Sequence, residues 1–205
     1  MKKKKIKPIW LMQPVPYFGE DIQGTWIIEE KIDGWRMQII KDNGIFFYGR
    51  RLKKNPNWSK KLKFLAKYLD NIPEGTLLDA ELATNKGRGF IPSLFAQSNK
   101  EVKPIIYVFD IVYMSYINIS KYPLIVRKQA LRSLALKKPF REIEYEILLH
   151  SENIYEIMDR YVKKNAEGIV LKYGTSKYLI GKQSPYCTEY WKKLKPSYKK
   201  PTEAK

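Results

Sequence analysis

Cysteine and histidine are nearly missing from this sequence: Cys187 and His150 are single copies in 205 residues. With one of each, no intramolecular disulfide and no multi-cysteine zinc site can form. Ser-His and Cys-His catalysis is disfavoured as well, because His150 trails the apolar run Ile147-Leu148-Leu149 and Cys187 reads as a small packing residue. A catalyst must then come from Lys, Asp, Glu or Tyr. Long apolar runs are also missing, so no segment is expected to span a membrane. The run Lys2 to Lys5 lacks the apolar core that would make it a signal peptide. It is expected to be a frayed, solvated tail within residues 1–8, ahead of a nuclear address or a phosphate-binding arm. The lack of paired cysteines suits a reducing, intracellular setting, in a cytoplasm or nucleoid or in a host cell for a viral chain. Acidic residues are the last shortage. Against 39 Lys and Arg there are 21 Asp and Glu, leaving +18. Such an excess favours a polyanionic partner, because each phosphate neutralised releases condensed counterions.

What is present is core-forming material: 44% of the residues are hydrophobic and 14% aromatic. That suits one folded domain, expected over residues 1–200, with 201–205 a short tail. Alternation from Thr25 to Ile40 predicts a strand, and Asp42-Asn43-Gly44 predicts a hairpin turn into a strand over Ile45 to Gly49. Ser59 is expected to cap a helix carrying Leu62, Leu65 and Leu69, ended before Pro73. Thr76 to Thr84 and Ile105 to Met114 predict buried strands. Pro123 opens a second helix with Leu124, Leu131 and Leu134. Ser151 caps a third with Ile154, Ile157, Met158 and Tyr161. Short strands follow near Gly168 to Tyr173 and Glu189 to Lys195. Gly87-Arg88-Gly89 and Tyr173 to Thr188 are expected to be loops. Antiparallel strands mixed with helices give an α+β class.

Several charged residues sit where apolar ones would be cheaper. In Glu29-Glu30-Lys31-Ile32-Asp33-Gly34-Trp35-Arg36, a turn at Asp33-Gly34 explains the glycine but not a lysine directly after Trp26, Ile27 and Ile28. Desolvation and nearby cations at such a place push an amine toward its neutral, nucleophilic form. Glu81 follows Leu77 and Leu78, where an unpaired carboxylate is costly. Phe109 reads either as ordinary core or as a flat partner for a ring. Lys193 and Lys195 alternate and so share one strand face, where two ammonium groups repel unless an anion lies between them. Lys192 reads as an ordinary basic surface residue.

The segment around Lys31 resembles the first motif of the covalent nucleotidyltransferases: DNA ligases, RNA ligases and capping enzymes. Four more segments resemble that family's later motifs, in order. They are Leu77-Leu78-Asp79-Ala80-Glu81-Leu82, Tyr107 to Tyr113, Glu167-Gly168-Ile169-Val170-Leu171-Lys172, and Trp191-Lys192-Lys193-Leu194-Lys195. The matches run from about residue 25 to 196. The resemblance implies two packed, mainly antiparallel sheets flanked by helices, an ATP-grasp-like nucleotidyltransferase fold with the nucleotide in the cleft between them. It implies that Lys31 is the nucleophile and becomes covalently adenylated. Lys193 and Lys195 would act on the α-phosphate. Glu81 would take the ribose or, with Glu167, a metal ion such as Mg²⁺ or Mn²⁺. Phe109 would pack on the base. Glu29, Ile32, Arg36, Arg50 and Lys172 would complete the nucleotide site. DNA phosphate contacts are implied for Arg36, Arg50 or Arg51, and Lys182, the last standing where relatives often carry arginine.

Arg36 after Asp33-Gly34, and Glu-Gly rather than Asp-Gly at 167–168, resemble the DNA ligase branch. About 30 residues precede Lys31, fewer than a nicotinamide-binding domain needs, so ATP is the expected donor. The expected activity is sealing of nicked duplex DNA by a monomer, in replication or repair. The family normally continues into an OB-fold domain after the motif at Trp191 to Lys195; the expectation here is an excised catalytic domain, a protein that works without that domain, or a separate OB-fold or clamp-like partner that supplies it. The competing readings are an RNA ligase, a capping guanylyltransferase tested by GTP, and a DNA-binding module of the same fold without catalysis.

Overall fold

The computed structural model describes residues 5–54, 56–149 and 152–198. Its first half forms β1 (Gln13–Pro16), β2 (Trp26–Glu30), β3 (Trp35–Lys41), β4 (Ile45–Gly49), β5 (Thr76–Thr84) and α1 (Ile91–Ala96). The second half forms β6 (Pro104–Met114), β7 (Ile117–Asn118), α2 (Leu124–Ser133), β8 (Phe140–Glu142), β9 (Tyr145–Ile147), α3 (Ile154–Lys163), β10 (Ile169–Tyr173) and β11 (Cys187–Leu194). Three 3₁₀ turns lie at Leu52–Lys54, Lys63–Leu69 and Arg88–Phe90. One sheet runs β1-β11-β10-β2-β9; the other runs β4-β3-β5-β6-β7 with β8 added on β6. Pairing is antiparallel except for β1 on β11 and β8 on β6. This is the expected α+β arrangement.

Three apolar layers follow from the period of two along each strand. Met37, Ile39, Leu78, Ala80, Leu82, Ile106 and Val108 cover the outer face of the six-stranded sheet, under Leu62, Leu65, Leu94 and Leu131. Ile28, Ile169, Leu171 and Leu194 cover the outer face of the other sheet, under Ile154, Ile157 and Met158 of α3. Between the sheets lie Leu11, Met12, Ile40, Leu77, Val112, Tyr178 and Trp191. Each large side chain so buried stabilises the fold by about 1.5–3 kcal/mol. The middle layer fills only part of the gap, and the rest is a cleft.

Several expectations need correction. The strand expected from Thr25 to Ile40 is two strands in different sheets, β2 and β3, joined by residues 31–34. Ser59 caps no helix. Its hydroxyl accepts the Phe47 N–H (2.9 Å), and the segment carrying Leu65 and Leu69 is a tight 3₁₀ turn. Asn153 caps α3 through the Tyr155 N–H, while Ser151 and His150 fall outside the described residues. Arg88–Phe90 is helical rather than loop. Cys187 is exposed rather than packed. Lys192 is buried and ion-paired with Glu20 rather than solvated. Residues 1–4 and 201–205 are not described; of the rest of the expected basic tail, Lys5 and Lys7 are exposed but Ile6 is docked. Ile6 is buried and its N–H meets Asp42 Oδ2 at 2.7 Å. Among the described residues, no helix is long and apolar enough to cross a membrane.

Candidate active site

The register of the five-stranded sheet puts one row of polar side chains on its inner face. Glu29 pairs with Val170, and Val170 with Lys193; Lys172 pairs with Trp191. By alternation Glu29 and Lys31, Val170 and Lys172, and Trp191, Lys193 and Lys195 all face the second sheet. That sheet answers with Arg36 of β3, directly across from Glu81 of β5, and with Phe109 of β6. Together they line a cleft of about 640 Å³. That is within the ordinary range for a small-molecule site, roughly 300–1,000 Å³.

Two glycines make the close approach. Gly168 has φ +150°, and a Cβ there would lie 2.2 Å from the Leu194 carbonyl oxygen. Its own carbonyl accepts the Lys31 N–H at 2.9 Å. The Glu167 side chain is thereby held between Lys31 and Lys195. Gly34 lets the 31–34 crossover settle on β5, since a Cβ would lie 2.4 Å from the Leu82 carbonyl oxygen and 2.8 Å from Glu81 Cγ.

Lys31 Nζ donates to Glu167 Oε2, and Lys195 Nζ donates to Glu167 Oε1. The Lys31 side chain keeps 21% of its exposure, so the amine sits in the cleft wall and not in bulk water. Partial burial pulls the Glu167 carboxyl upward, but the bonds from Lys195 and Lys31 prevail and hold it below its ordinary value. Lys193 is lowered by burial and then by the charges of Lys195, Lys31 and Arg50. Three amines and an arginine crowded this way call for an anion. Glu81 is pushed up to about 7 by burial, although Arg36 and Lys31 pull it down.

A second set of ions lies deeper. Glu29 is ion-paired with Lys128 of α2 through Oε1 and with Lys172 through Oε2 (2.6 Å), all three being at most 2% exposed. Burial, then the Lys128 charge, lowers Lys172 to about 8, with Glu29 acting the other way. Arg36 is spent on Asp79, with Nε to Oδ1 at 3.0 Å and Nη2 to Oδ2 at 2.6 Å. Its Cζ lies 5.1 Å from the Phe109 ring centre. Asp110 holds Arg127 through two bonds of 2.8 Å.

The expected residues Glu29, Lys31, Ile32, Arg36, Arg50, Arg51 and Glu81 all line this one cleft. So do Phe109, Glu167, Lys172, Lys193 and Lys195. Lys182 does not; it is exposed beyond the cleft, next to the bridge between Trp10 and Gly181. Sequence reasoning missed Val170 and Trp191 as cleft walls, and missed Asp79, Asp110, Arg127 and Lys128 as buried charges. A signal for Lys128 was present, because Leu124, Lys128 and Leu131 fall at helical spacing on one stripe.

Mg²⁺ keeps much of its water and binds through one or two carboxylates plus substrate phosphates. Glu81 and Glu167, facing one cleft with an anion-seeking lysine cluster, fit that donor set. No group of three or more His, Cys, Asp or Glu able to hold a metal occurs among the described residues.

The fold is shared with solved ligase structures. A mycobacterial DNA ligase D complexed with ATP aligns with TM-score 0.66 and 18% identity, over 91% of this chain and 60% of that one. The ATP-dependent DNA ligase of bacteriophage T7, complexed with ATP, aligns with TM-score 0.60 and 20% identity, over 92% and 69%. In sequence, DNA ligase 4 of Candida albicans is 30% identical over 207 aligned positions, covering 86% of this chain and 22% of that protein. A DNA ligase of Saccharolobus islandicus is 25% identical, covering 86% and 31%. The chain therefore spans between about a fifth and a third of the length of these sequence relatives. Residues 15–195, from β1 past the end of β11, match the model of the ATP dependent DNA ligase domain, and the chain belongs to that family.

Proposed function

We propose that this chain is the nucleotidyltransferase core of an ATP-dependent DNA ligase, with Lys31 as the residue that carries AMP. The observation that supports this most directly is the meeting of Lys31, Glu167, Lys193 and Lys195 in one cleft. The base enters between Phe109 and Val170, one from each sheet. The ribose meets Glu81, whose carboxyl burial pushes up to about 7, so that near neutral pH its protonated fraction can donate as well as accept. The α-phosphate lies against Lys193 and Lys195, which stabilise the charge that grows on its oxygens.

Lys31 attacks the α-phosphorus, and the bond to pyrophosphate breaks. Glu167 is the acceptor in contact with the Lys31 amine, so it orients that group and accepts the proton the amine sheds as the phosphoramide forms. Mg²⁺ or Mn²⁺ held by Glu167 and Glu81 would neutralise phosphate charge. The AMP then passes to the 5′-phosphate of a nicked duplex, breaking the phosphoramide and freeing Lys31. The neighbouring 3′-hydroxyl displaces AMP and closes the strand. The rim cations Arg50, Arg51, Lys54 and Arg88 offer phosphate contacts for the duplex.

Incubation with α-labelled ATP and Mg²⁺ tests the first step. Wild type should retain one label per chain, lost with pyrophosphate, and Lys31→Ala should retain none. A folded wild type that takes no label overturns the proposal. Sealing of all-DNA nicks at a higher rate than RNA-containing nicks is the expected result of the second assay.

A further inference from the structure

Between Asp42 and Asp70 the sequence carries no acidic residue but eight cations, all from Arg50 to Lys67. Every one of the eight is exposed. None forms an ion pair among the described residues, whereas Lys86, Arg132 and Arg160 on other parts of the surface meet Glu101, Glu142 and Glu146. Like charges gathered this closely repel one another, and a polyanion laid across them offsets that repulsion.

The fold joins these cations to the cleft mouth on a rigid footing. After β4 the chain turns back along that strand's free edge: the Trp58 N–H donates to the Phe47 carbonyl at 2.8 Å, and the Phe47 N–H to the Ser59 hydroxyl at 2.9 Å. Trp58 seats on Gly49, where a Cβ would lie 2.4 Å from its ring. It also packs on Trp35 and on Phe95 of α1, with ring centres 5.9 and 5.2 Å away. Trp35 and Trp58 line the cleft, as Arg51 and Lys54 do. Lys61 Nζ stands 5.3 Å from the Phe95 ring centre, which is 5.6 Å from that of Trp35. Lys53 shares the Leu52–Lys54 turn with Lys54. Positive charge therefore continues from the mouth round the β4 edge through Lys53, Lys60 and Lys61. Lys67 lies elsewhere. Trp35 begins β3, and at that strand's far end Lys41 Nζ donates to the Leu69 carbonyl at 3.1 Å. Seven strand residues put that end about 20 Å from the mouth.

We propose that Lys53, Lys60 and Lys61 form a second phosphate-binding surface, outside the cleft, that holds the sugar-phosphate backbone of one arm of the duplex flanking the nick. The inference rests on the reading of the cleft as a ligase site and adds the side on which the duplex leaves it. A nucleic-acid strand offers a phosphate about every 3.4 Å, an unbroken line that exposed ammonium groups on a fixed ridge can follow. Such contacts set position and carry no base sequence. Lys67, at the far end of β3, is off this path.

The test combines a triple variant, Lys53→Ala with Lys60→Ala and Lys61→Ala, with nicked duplexes carrying uncharged methylphosphonate linkages on one arm or the other. The triple variant should take label from ATP at the wild-type rate, which also shows that it folds. Its affinity for a fully charged nicked duplex should fall about tenfold or more at about 0.1 M salt, with the salt slope flattened by up to about 2.7. Lys67→Ala should change neither. Wild type should lose more affinity when one particular arm is neutral than when the other is, and the triple variant should lose nothing further on that arm. Wild-type affinity in the triple variant, an equal loss with Lys67→Ala, or the same neutral-arm loss in both proteins overturns the proposal. The arm comparison on wild type covers the case in which the triple variant fails to fold, since equal losses from the two arms also overturn it. If wild type takes no label from ATP, the ligase reading itself fails. If wild type labels normally and the triple variant binds the duplex as wild type does, only the second surface falls.

Discussion

Arg36 and Asp79 are joined by two hydrogen bonds, 3.0 and 2.6 Å, in a part of the cleft floor where the side chains are 8% and 0% exposed. Tyr178 donates its hydroxyl to the same Asp79 oxygen at 2.6 Å and accepts the Met12 N–H at 3.2 Å. The pair therefore ties β3, β5, the segment before β1 and the loop before β11 into one polar network. It also means that the Arg36 guanidinium, expected to meet ribose and DNA phosphate, is committed inside the protein.

Removing the carboxylate should be expensive. Asp79→Ala leaves a buried guanidinium unpaired, a change that costs about 3–5 kcal/mol in comparable sites. Asp79→Asn keeps an acceptor and should cost less. Urea denaturation of the two variants measures both. A loss below about 1 kcal/mol for Asp79→Ala would mean that Arg36 finds water or another partner, and that the network contributes little.

Glu167 should behave in the opposite way. Its partners are only partly buried, with Lys31, Glu167 and Lys195 side chains 21%, 24% and 30% exposed. Ion pairs of that kind contribute about 1 kcal/mol or less. Glu167→Gln should hence leave the denaturation midpoint nearly unchanged. It removes the one charge that holds two amines apart and orients Lys31, so the rate of covalent labelling should fall by about 100-fold or more. Stability and labelling measured on the same preparation separate the two effects. Labelling at the wild-type rate would rule out a role for Glu167 in orienting the nucleophile.

How far this was legible in the sequence depended on whether a residue's reason is local. Lys31, Glu167, Lys193 and Lys195 stand within contiguous motifs, and the cleft brings them together. The buried strand Thr76 to Thr84 matched to the residue, because a run of nine without a break signal has one reading. Thr25 to Ile40 misled, since its alternation continues through Lys31 to Gly34 while the chain crosses from one sheet to the other. What makes the crossing is the space Gly34 leaves against the Leu82 carbonyl, a contact 48 positions away in sequence. The Glu29–Lys128–Lys172 cluster was hidden for the same reason. Its partners come from three elements, and only the position of Lys128 on an apolar helical stripe hints at burial.

Glu81 gives a pH signature. Burial raises its carboxyl from 4.5 to about 7 in the folded chain. The folded state thus binds this proton more tightly than the unfolded one, and the stability it brings is fully present below about pH 4.5. That contribution is lost as pH rises through about 7, and is flat above it. Over the window it amounts to a few kcal/mol at most. Glu81→Gln, which cannot titrate, should lack this slope, so the wild-type minus variant difference in denaturation free energy should decline between pH 4.5 and 7. A difference that is constant with pH would place the Glu81 carboxyl near its ordinary value.

The net charge of +18 makes a last prediction about where nucleic acid lies. Each phosphate contact on duplex DNA contributes about 0.9 to the slope of log affinity against log salt. Arg51, Lys54 and Arg88 line the mouth of the cleft and are exposed. Replacing all three by alanine should flatten the slope for a nicked duplex by up to about 2.7, with affinity measured between 50 and 300 mM salt. Lys182 is exposed but outside the cleft, so Lys182→Ala alone should leave the slope within about 0.3 of wild type. If Lys182→Ala removes a full contact while the triple variant changes nothing, the duplex runs along the surface near Gly181 instead. The cations at the cleft mouth would then serve the nucleotide alone.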